Sequence, residues 1–357
     1  GNGPSSVYTL AFRLGSGASP ISRLWLVSIP LAGGGLLLIA RRLPFFEKTS
    51  YRVAKALFLL RRSLSSKDGA SNAPLPFEDR AGETLWARYQ VIRLVSRGGF
   101  SVVYEARDIL EENTRVAVKI LDVPASGAGW VRDRFAQEVA ALRTIEHPGI
   151  IRVLDSWISP AGNPCLVMPF LEGPTLRTAL QLGVFTRERA AHIIRRLGDA
   201  LSAVHVRGIV HRDFKPENVI LIQSGPDEER PVLIDFGAAG LRGPENELAA
   251  TTLLAGSFHY LAPERLTGHY SPATDVYALG VTTLEMLTGK RLGDLNFMFS
   301  DRAFLEELAG TLQAVVGSDS ARLLARHLAL AYNPEPRRRP EHVGRWASEI
   351  AALLQSR

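Results

Sequence analysis

Cysteine is almost absent: the 357 residues contain one, Cys165. No intrachain disulfide forms, and a disulfide-stapled secreted scaffold is excluded. Metal-ligand spacings are missing as well, because the eight histidines show no HxxxH pattern and no CxxC exists, so no structural zinc is expected. Acids are scarce at the start, where residues 1–67 hold ten Lys/Arg against Glu47 alone. With 42 basic and 36 acidic residues in the whole chain, the remainder is mildly acidic at −3. The basicity therefore belongs to the leader. That distribution argues against a nucleic-acid footprint on the folded body and for a leader that meets an anionic surface. Cys165 lies in an apolar run where packing is its role, and the body fits a reducing compartment. A hydrophobic content of 46% supports a large core.

One stretch of the leader carries no charge. Residues 24–40, "LWLVSIPLAGGGLLLIA", run for seventeen positions between Arg23 and the pair Arg41 and Arg42. At helical rise this is roughly 26 Å, close to a hydrocarbon core of about 30 Å, with the flanking arginines able to snorkel. Pro30 and Gly33 to Gly35 weaken a soluble helix but are frequent in transmembrane ones. The reading is one membrane-spanning helix at 24–40, a leader or truncated upstream region at 1–23, and a basic juxtamembrane segment and linker at 41–84. The cationic cluster after the span places the C-terminal body in the cytoplasm. An acid-poor, Arg- and Ser-containing start also fits an organelle transit peptide or a soluble cytoplasmic chain lacking its true beginning. Residues 51–64 suit either the membrane surface or a short helix packed on the domain.

After residue 85 the pattern changes to short β-rich runs, "YQVIRLV", "SVVYEARD" and "RVAVKIL", which predict an antiparallel meander. The turn joining the first two, Ser96 to Ser101, has small residues that let backbone amides approach phosphates. Lys119 ends an apolar strand, a costly place for an ammonium without an anionic partner. Glu138 lies in "VRDRFAQEVAALRTI", whose Phe135, Val139 and Leu142 mark a helix packed by one face. A pairing of Lys119 with Glu138 across that interface is expected. "CLVMPFLEGPTL" reads as strand, break and new helix, a hinge between a small lobe and a helical remainder, where ligand pockets form. "RERAAHIIRRLGDALSAVHVRG" is an amphipathic helix. It leads into "GIVHRDFKPENVIL", which crowds Arg212, Asp213, Lys215, Glu217 and Asn218 between apolar runs.

These segments together resemble a eukaryotic-type protein serine/threonine kinase, over residues 85–355. The motifs stand in that family's order: a degenerate glycine loop, VAVK at 116–119, HRDFKPEN at 211–218, DFG at 235–237 and APE at 262–264. The resemblance implies an α+β, two-lobed protein-kinase-like fold, with a β-rich N-lobe at 85–170 and a mainly helical C-lobe at 171–355. It implies ATP and Mg²⁺ as cofactors. Asp213 would accept the proton of a substrate hydroxyl, and Asn218 and Asp235 would hold the metal. Lys119, oriented by Glu138, would contact the α- and β-phosphates, and Lys215 the transferred phosphoryl group. The nucleotide would also meet Ser96, Gly98, Ser101 and Val103, with Met168 and Leu171 at the hinge. Arg212 would meet a phosphorylated residue of the activation segment, for which Thr251 and Thr252 are candidates. Ser257 takes the place where such kinases carry a threonine near the catalytic aspartate, and Arg339 would pair with Glu264. Implied partners are proteins bearing Ser/Thr, a second copy for trans-autophosphorylation, and a membrane, as in bacterial membrane-anchored signalling kinases.

Two departures bear on function. The family's GxGxxG loop has Ser96 and Ser101 at its first and third glycine places, which predicts weaker nucleotide affinity. Pro169 comes directly after Met168 and lacks an N–H, although adenine needs only a carbonyl there and Leu171 still offers its amide. A pseudokinase scaffold is the first rival, opposed by the presence of Lys119, Glu138, Asp213, Asn218 and Asp235. A kinase-like small-molecule phosphotransferase would lack Lys215 and the APE segment, and a membrane-tethered adaptor would rest on the leader alone.

Overall fold

The computed structural model describes residues 80–98, 101–121, 128–225, 228–236, 258–267, 269–291 and 302–356. The apolar run 24–40 and residues 41–79 of the juxtamembrane segment and linker lie outside these, whereas residues 80–84 are described. Among the described residues no helix is long and apolar enough to cross a membrane.

The first lobe is a six-stranded sheet. Its strands are β1 (Thr84–Leu85), β2 (Tyr89–Arg97), β3 (Ser101–Asp108), β4 (Thr114–Leu121), β5 (Asp155–Ile158) and β6 (Pro164–Pro169), in the order β1-β2-β3-β4-β6-β5. The expected meander is β2 to β4, paired antiparallel with Val103 opposite Lys119. Period-2 alternation explains the burial: Tyr89 and Val91, then Val102, Tyr104 and Ala106, then Val116, Val118 and Ile120 all face one core. The opposite face buries Leu121 and Leu166 against Phe135 and Val139 of helix α1 (Ala128–Arg143). Right-handed twist curls the sheet until its two ends meet. Trp157 of β5 stacks on Tyr89 at 5.4 Å and meets Trp86 edge-on at 4.4 Å. Arg88 closes the seam, bonded to Asp108 at 2.6 Å and to Asp155 at 3.4 Å.

The second lobe is helical. It comprises α2 (Leu176–Gln181), α3 (Arg187–His205), a hairpin of β7 (Val219–Gly225) and β8 (Glu228–Leu233), then α4 (Pro272–Thr288), α5 (Arg302–Val316), α6 (Ser318–Ala331) and α7 (Val343–Gln355). Thr175 and Thr186 cap α2 and α3 by accepting from Thr178 and Arg189 amides, each cap contributing about 1 kcal/mol. Helix α4 begins with a Ser271/Thr274 capping box and Pro272, ends at Gly289 in the left-handed region, and is buried on every side from Thr274 to Leu287. A helix buried on every side is a lobe's central strut. Glycine permits a close helix crossing: a Cβ at Gly198 of α3 would lie 2.2 Å from the Cβ of Ala347 on α7.

Candidate active site

The charged stretch 211–218 is held by the buried helix beneath it. Asp275, in the first turn of α4 and 1% exposed, accepts from the His211 and Arg212 amides at 2.8 and 3.0 Å. It also bonds the His205 ring at 2.8 Å. Those bonds hold Arg212 in the left-handed region, at φ 69°, where a non-glycine residue needs its surroundings to impose the conformation. The His211 ring packs on Phe236 at 4.5 Å and bonds the Ile234 carbonyl at 3.1 Å. The loop is thereby tied to the strand end that delivers Asp235.

Asp213 stands at the centre. Lys215 Nζ donates to its Oδ2 at 2.7 Å, and Asn218 Nδ2 donates to the same oxygen at 3.1 Å and to the Asp213 carbonyl at 2.7 Å. A 3₁₀ turn, Pro216–Asn218, folds the asparagine back onto the aspartate. The Ile234 amide bonds the Asn218 carbonyl at 2.9 Å, so Asn218 and Asp235 sit on adjoining backbone.

Asp235 is also left-handed, at φ 68°, and its carboxylate accepts from Lys119 Nζ. Its surroundings alone would raise the carboxyl. The Lys119 charge and hydrogen bond outweigh that, with His211 and Lys215 adding to it, and hold it below the usual carboxylate range. Lys119 is 4% exposed, so its ammonium depends on this partner.

The expected pairing of Lys119 with Glu138 is not the one formed among the described residues. Lys119 pairs with Asp235, while Glu138 Oε1 accepts from Arg212 at 2.9 Å. Two cations and two carboxylates in one cleft can be matched in two ways.

Of the positions expected to meet a nucleotide, Val103 pairs directly with Lys119. Ser96 lies at the end of β2, Gly98 just follows it and Ser101 opens β3, with the Gly98 amide bonded to the Ser101 carbonyl at 2.8 Å. Met168 of β6, 9% exposed, pairs with Ala117 of β4, and Pro169 with Val116. The Phe170 amide is taken by the Arg115 carbonyl at 3.3 Å, and Leu171 leads on into the second lobe. Arg115 lies 4.6 Å from the Phe170 ring centre and pairs with Glu172, so the hinge is braced to β4. Glu264 and Arg339 form a two-pronged pair at 2.7 and 2.8 Å. Thr251, Thr252 and Ser257 lie outside the described residues.

Sequence reasoning missed three contributors: Asp275, His205 and an ion cluster around Arg177. The signal for Asp275 was an acid heading an otherwise apolar helix, in "DVYALG".

Residues 89–305 match the protein kinase domain family. The chain is 34% identical over 209 residues to the serine/threonine-protein kinase pkn2 of Myxococcus xanthus, covering 58% of this chain and 25% of that protein. It is 36% identical over 218 residues to serine/threonine-protein kinase PknA of Mycobacterium tuberculosis, covering 59% and 49%. It thus spans a quarter to a half of the length of these relatives. A crystal structure of Rad53 residues 1–466 in complex with AMP-PNP shares the fold, with a TM-score of 0.55 and 23% identity over 74% of this chain and 65% of that one. The chain belongs to the protein kinase domain family, and among its members it is similar to bacterial serine/threonine-protein kinases.

Proposed function

We infer that the chain is an ATP-dependent protein serine/threonine kinase, moving the γ-phosphoryl group of ATP to Ser/Thr hydroxyls of protein substrates. The observation that carries this reading is the Asp213 carboxylate held by Lys215 and Asn218, on a loop pinned beside Asp235 and Lys119.

Phosphoryl transfer needs positioning and charge neutralisation more than covalent help. Asp213, 37% exposed at its side chain, is open to accept the proton of an incoming hydroxyl. Lys215 places a cation between that carboxylate and the transferred group. With ATP bound, the Lys119 ammonium, now on Asp235, would serve the α- and β-phosphates. The Pro169 carbonyl and the Leu171 amide suit the adenine edge.

The donor set fits Mg²⁺: Asp235 supplies a carboxylate and Asn218 an amide oxygen, both hard ligands. Because Asn218 Nδ2 is spent on Asp213, its Oδ1 is the end left for a cation. Bound there, the metal would neutralise phosphate oxygens.

Membrane anchoring through residues 24–40, with the kinase domain on the cytoplasmic side, and trans-autophosphorylation of Thr251 or Thr252 complete the reading. The uncharged run and the cations after it support the first, and the Arg212 guanidinium supports the second. Incubation with ATP and Mg²⁺, then phosphosite mapping, tests the activity. Phosphoserine or phosphothreonine must appear, and a chain left unmodified favours the scaffold alternative. For the anchor, the full chain should float with liposomes and a variant lacking 24–40 should not.

A further inference from the structure

Among the described residues, an ionic cluster outside the reacting groups centres on Arg177 of α2. Its Nε donates to Glu217 Oε1 at 2.7 Å. One terminal nitrogen donates to Glu285 Oε1 at 2.7 Å. The other reaches Glu285 Oε2 at 3.3 Å and the Tyr260 hydroxyl. The Tyr260 hydroxyl donates in turn to Glu285, and Arg291 adds a bond to Glu285 at 3.0 Å. The Arg177 side chain is 15% exposed and Glu285 only 6%. Burial alone would raise the Glu285 carboxyl, but the bonds from Arg177, Tyr260 and Arg291 hold it below the usual range.

The four elements joined here have different duties. Glu217 sits in the turn between Lys215 and Asn218, the two residues that hold Asp213. Tyr260 belongs to the segment entering APE, and Tyr260, Leu261 and Ala262 line one small cavity with Arg212 and Asp213. Glu285 belongs to the buried strut α4. A planar guanidinium with donors on three sides suits such a junction, and an ammonium cannot reproduce its fork.

Resting on the kinase reading above, we propose that Arg177 is a positioning residue that locks the catalytic turn and the Tyr260 segment, where a protein substrate must lie beside Asp213, into one register. ATP would be held on other elements, β2 to β4 and the hinge, so this lock governs the protein substrate and the transfer step.

The test is steady-state kinetics on the full chain with a peptide or protein found to be phosphorylated by it. Arg177→Met is expected to raise the KM for that substrate and lower kcat, together about 10²-fold as for a 1 Å misplacement, with the KM for ATP within about twofold. Arg177→Lys should recover only part of the loss. Tyr260→Phe and Glu217→Gln, which keep shape and folding, should each raise the substrate KM without moving the ATP KM. A merely structural role would lower the melting temperature and leave the constants of the folded enzyme unchanged. If Arg177→Met does not fold, the other two variants decide. Unchanged substrate KM in both, with an active wild type, overturns the proposal alone. A wild type that transfers no phosphate overturns the kinase reading and this proposal with it.

Discussion

Glu138 and Arg212, 74 positions apart, form an ion pair at 2.9 Å that ties helix α1 to the catalytic loop, and Arg212 also lies 4.1 Å from the centre of the Tyr270 ring. Arg212 is the cation expected to receive an activation-segment phosphate. A phosphate that takes Arg212 would release Glu138, and Lys119 would then have a carboxylate to leave Asp235 for. A charge-assisted bond contributes about 1.5–3 kcal/mol, so the pair biases this exchange about tenfold or more. Arg212→Met should therefore bring the activities of the autophosphorylated and phosphatase-treated protein to the same level, whereas the wild type should differ about tenfold. Comparing initial rates of the two forms checks this, and a preserved difference in the variant rejects it.

The serines at two glycine places of the β2–β3 turn make a prediction of the opposite sign. A Cβ at Ser96 and Ser101 keeps the backbone further from phosphates than glycine would. Ser96→Gly combined with Ser101→Gly should tighten ATP binding several-fold, about 1 kcal/mol. Calorimetric titration with ATP and Mg²⁺ measures it, and equal or weaker binding would show that the serine hydroxyls serve as donors.

Stability in acid should depend on Glu264. Burial alone would raise its carboxyl, but the bonds from Arg339 and Thr274 hold it below its ordinary value of 4.5. A carboxyl depressed on folding stabilises above the unfolded value and loses that contribution as pH falls toward the folded one. Urea midpoints should therefore drop below about pH 4.5 in the wild type. Arg339 is wholly enclosed, and Arg339→Met should cost about 3–5 kcal/mol at pH 7 by taking both guanidinium bonds from the Glu264 carboxylate. The same substitution should flatten the acid dependence. A steep acid slope retained in the variant would assign it to other carboxylates.

Cys165 is fully buried, and burial pushes its thiol far above its ordinary value. Thiolate is the reactive form, so alkylation at pH 8 should be negligible in the folded protein and rapid in urea. Fast labelling of native protein would contradict the packing of β6.

Much of this arrangement was legible in the residues. The strands 89–97, 101–108 and 114–121 announce themselves by alternation, and the face of Phe135, Val139 and Leu142 is buried as its spacing implies. Loop 211–218 was conspicuous because charges interrupt apolar runs. What could not be read is which charge meets which. Lys119 and Glu138 lie close in sequence and in one lobe, yet Lys119 pairs with Asp235 and Glu138 with Arg212, partners 116 and 74 positions away that local spacing does not reveal. The Arg177 cluster was invisible for a related reason: its partners lie 40, 83 and 108 positions away, and a charge on a short helix reads as a solvated one until the fold buries it.

The kinase reading turns on Asp213 taking the proton of the attacking hydroxyl. Single-turnover phosphate transfer by Asp213→Asn against wild type, with ATP affinity measured alongside, puts that role to the test. The rate should fall by about 10²–10⁴-fold, the share of a general base, with ATP affinity unchanged. A variant that transfers phosphate at the wild-type rate would contradict it.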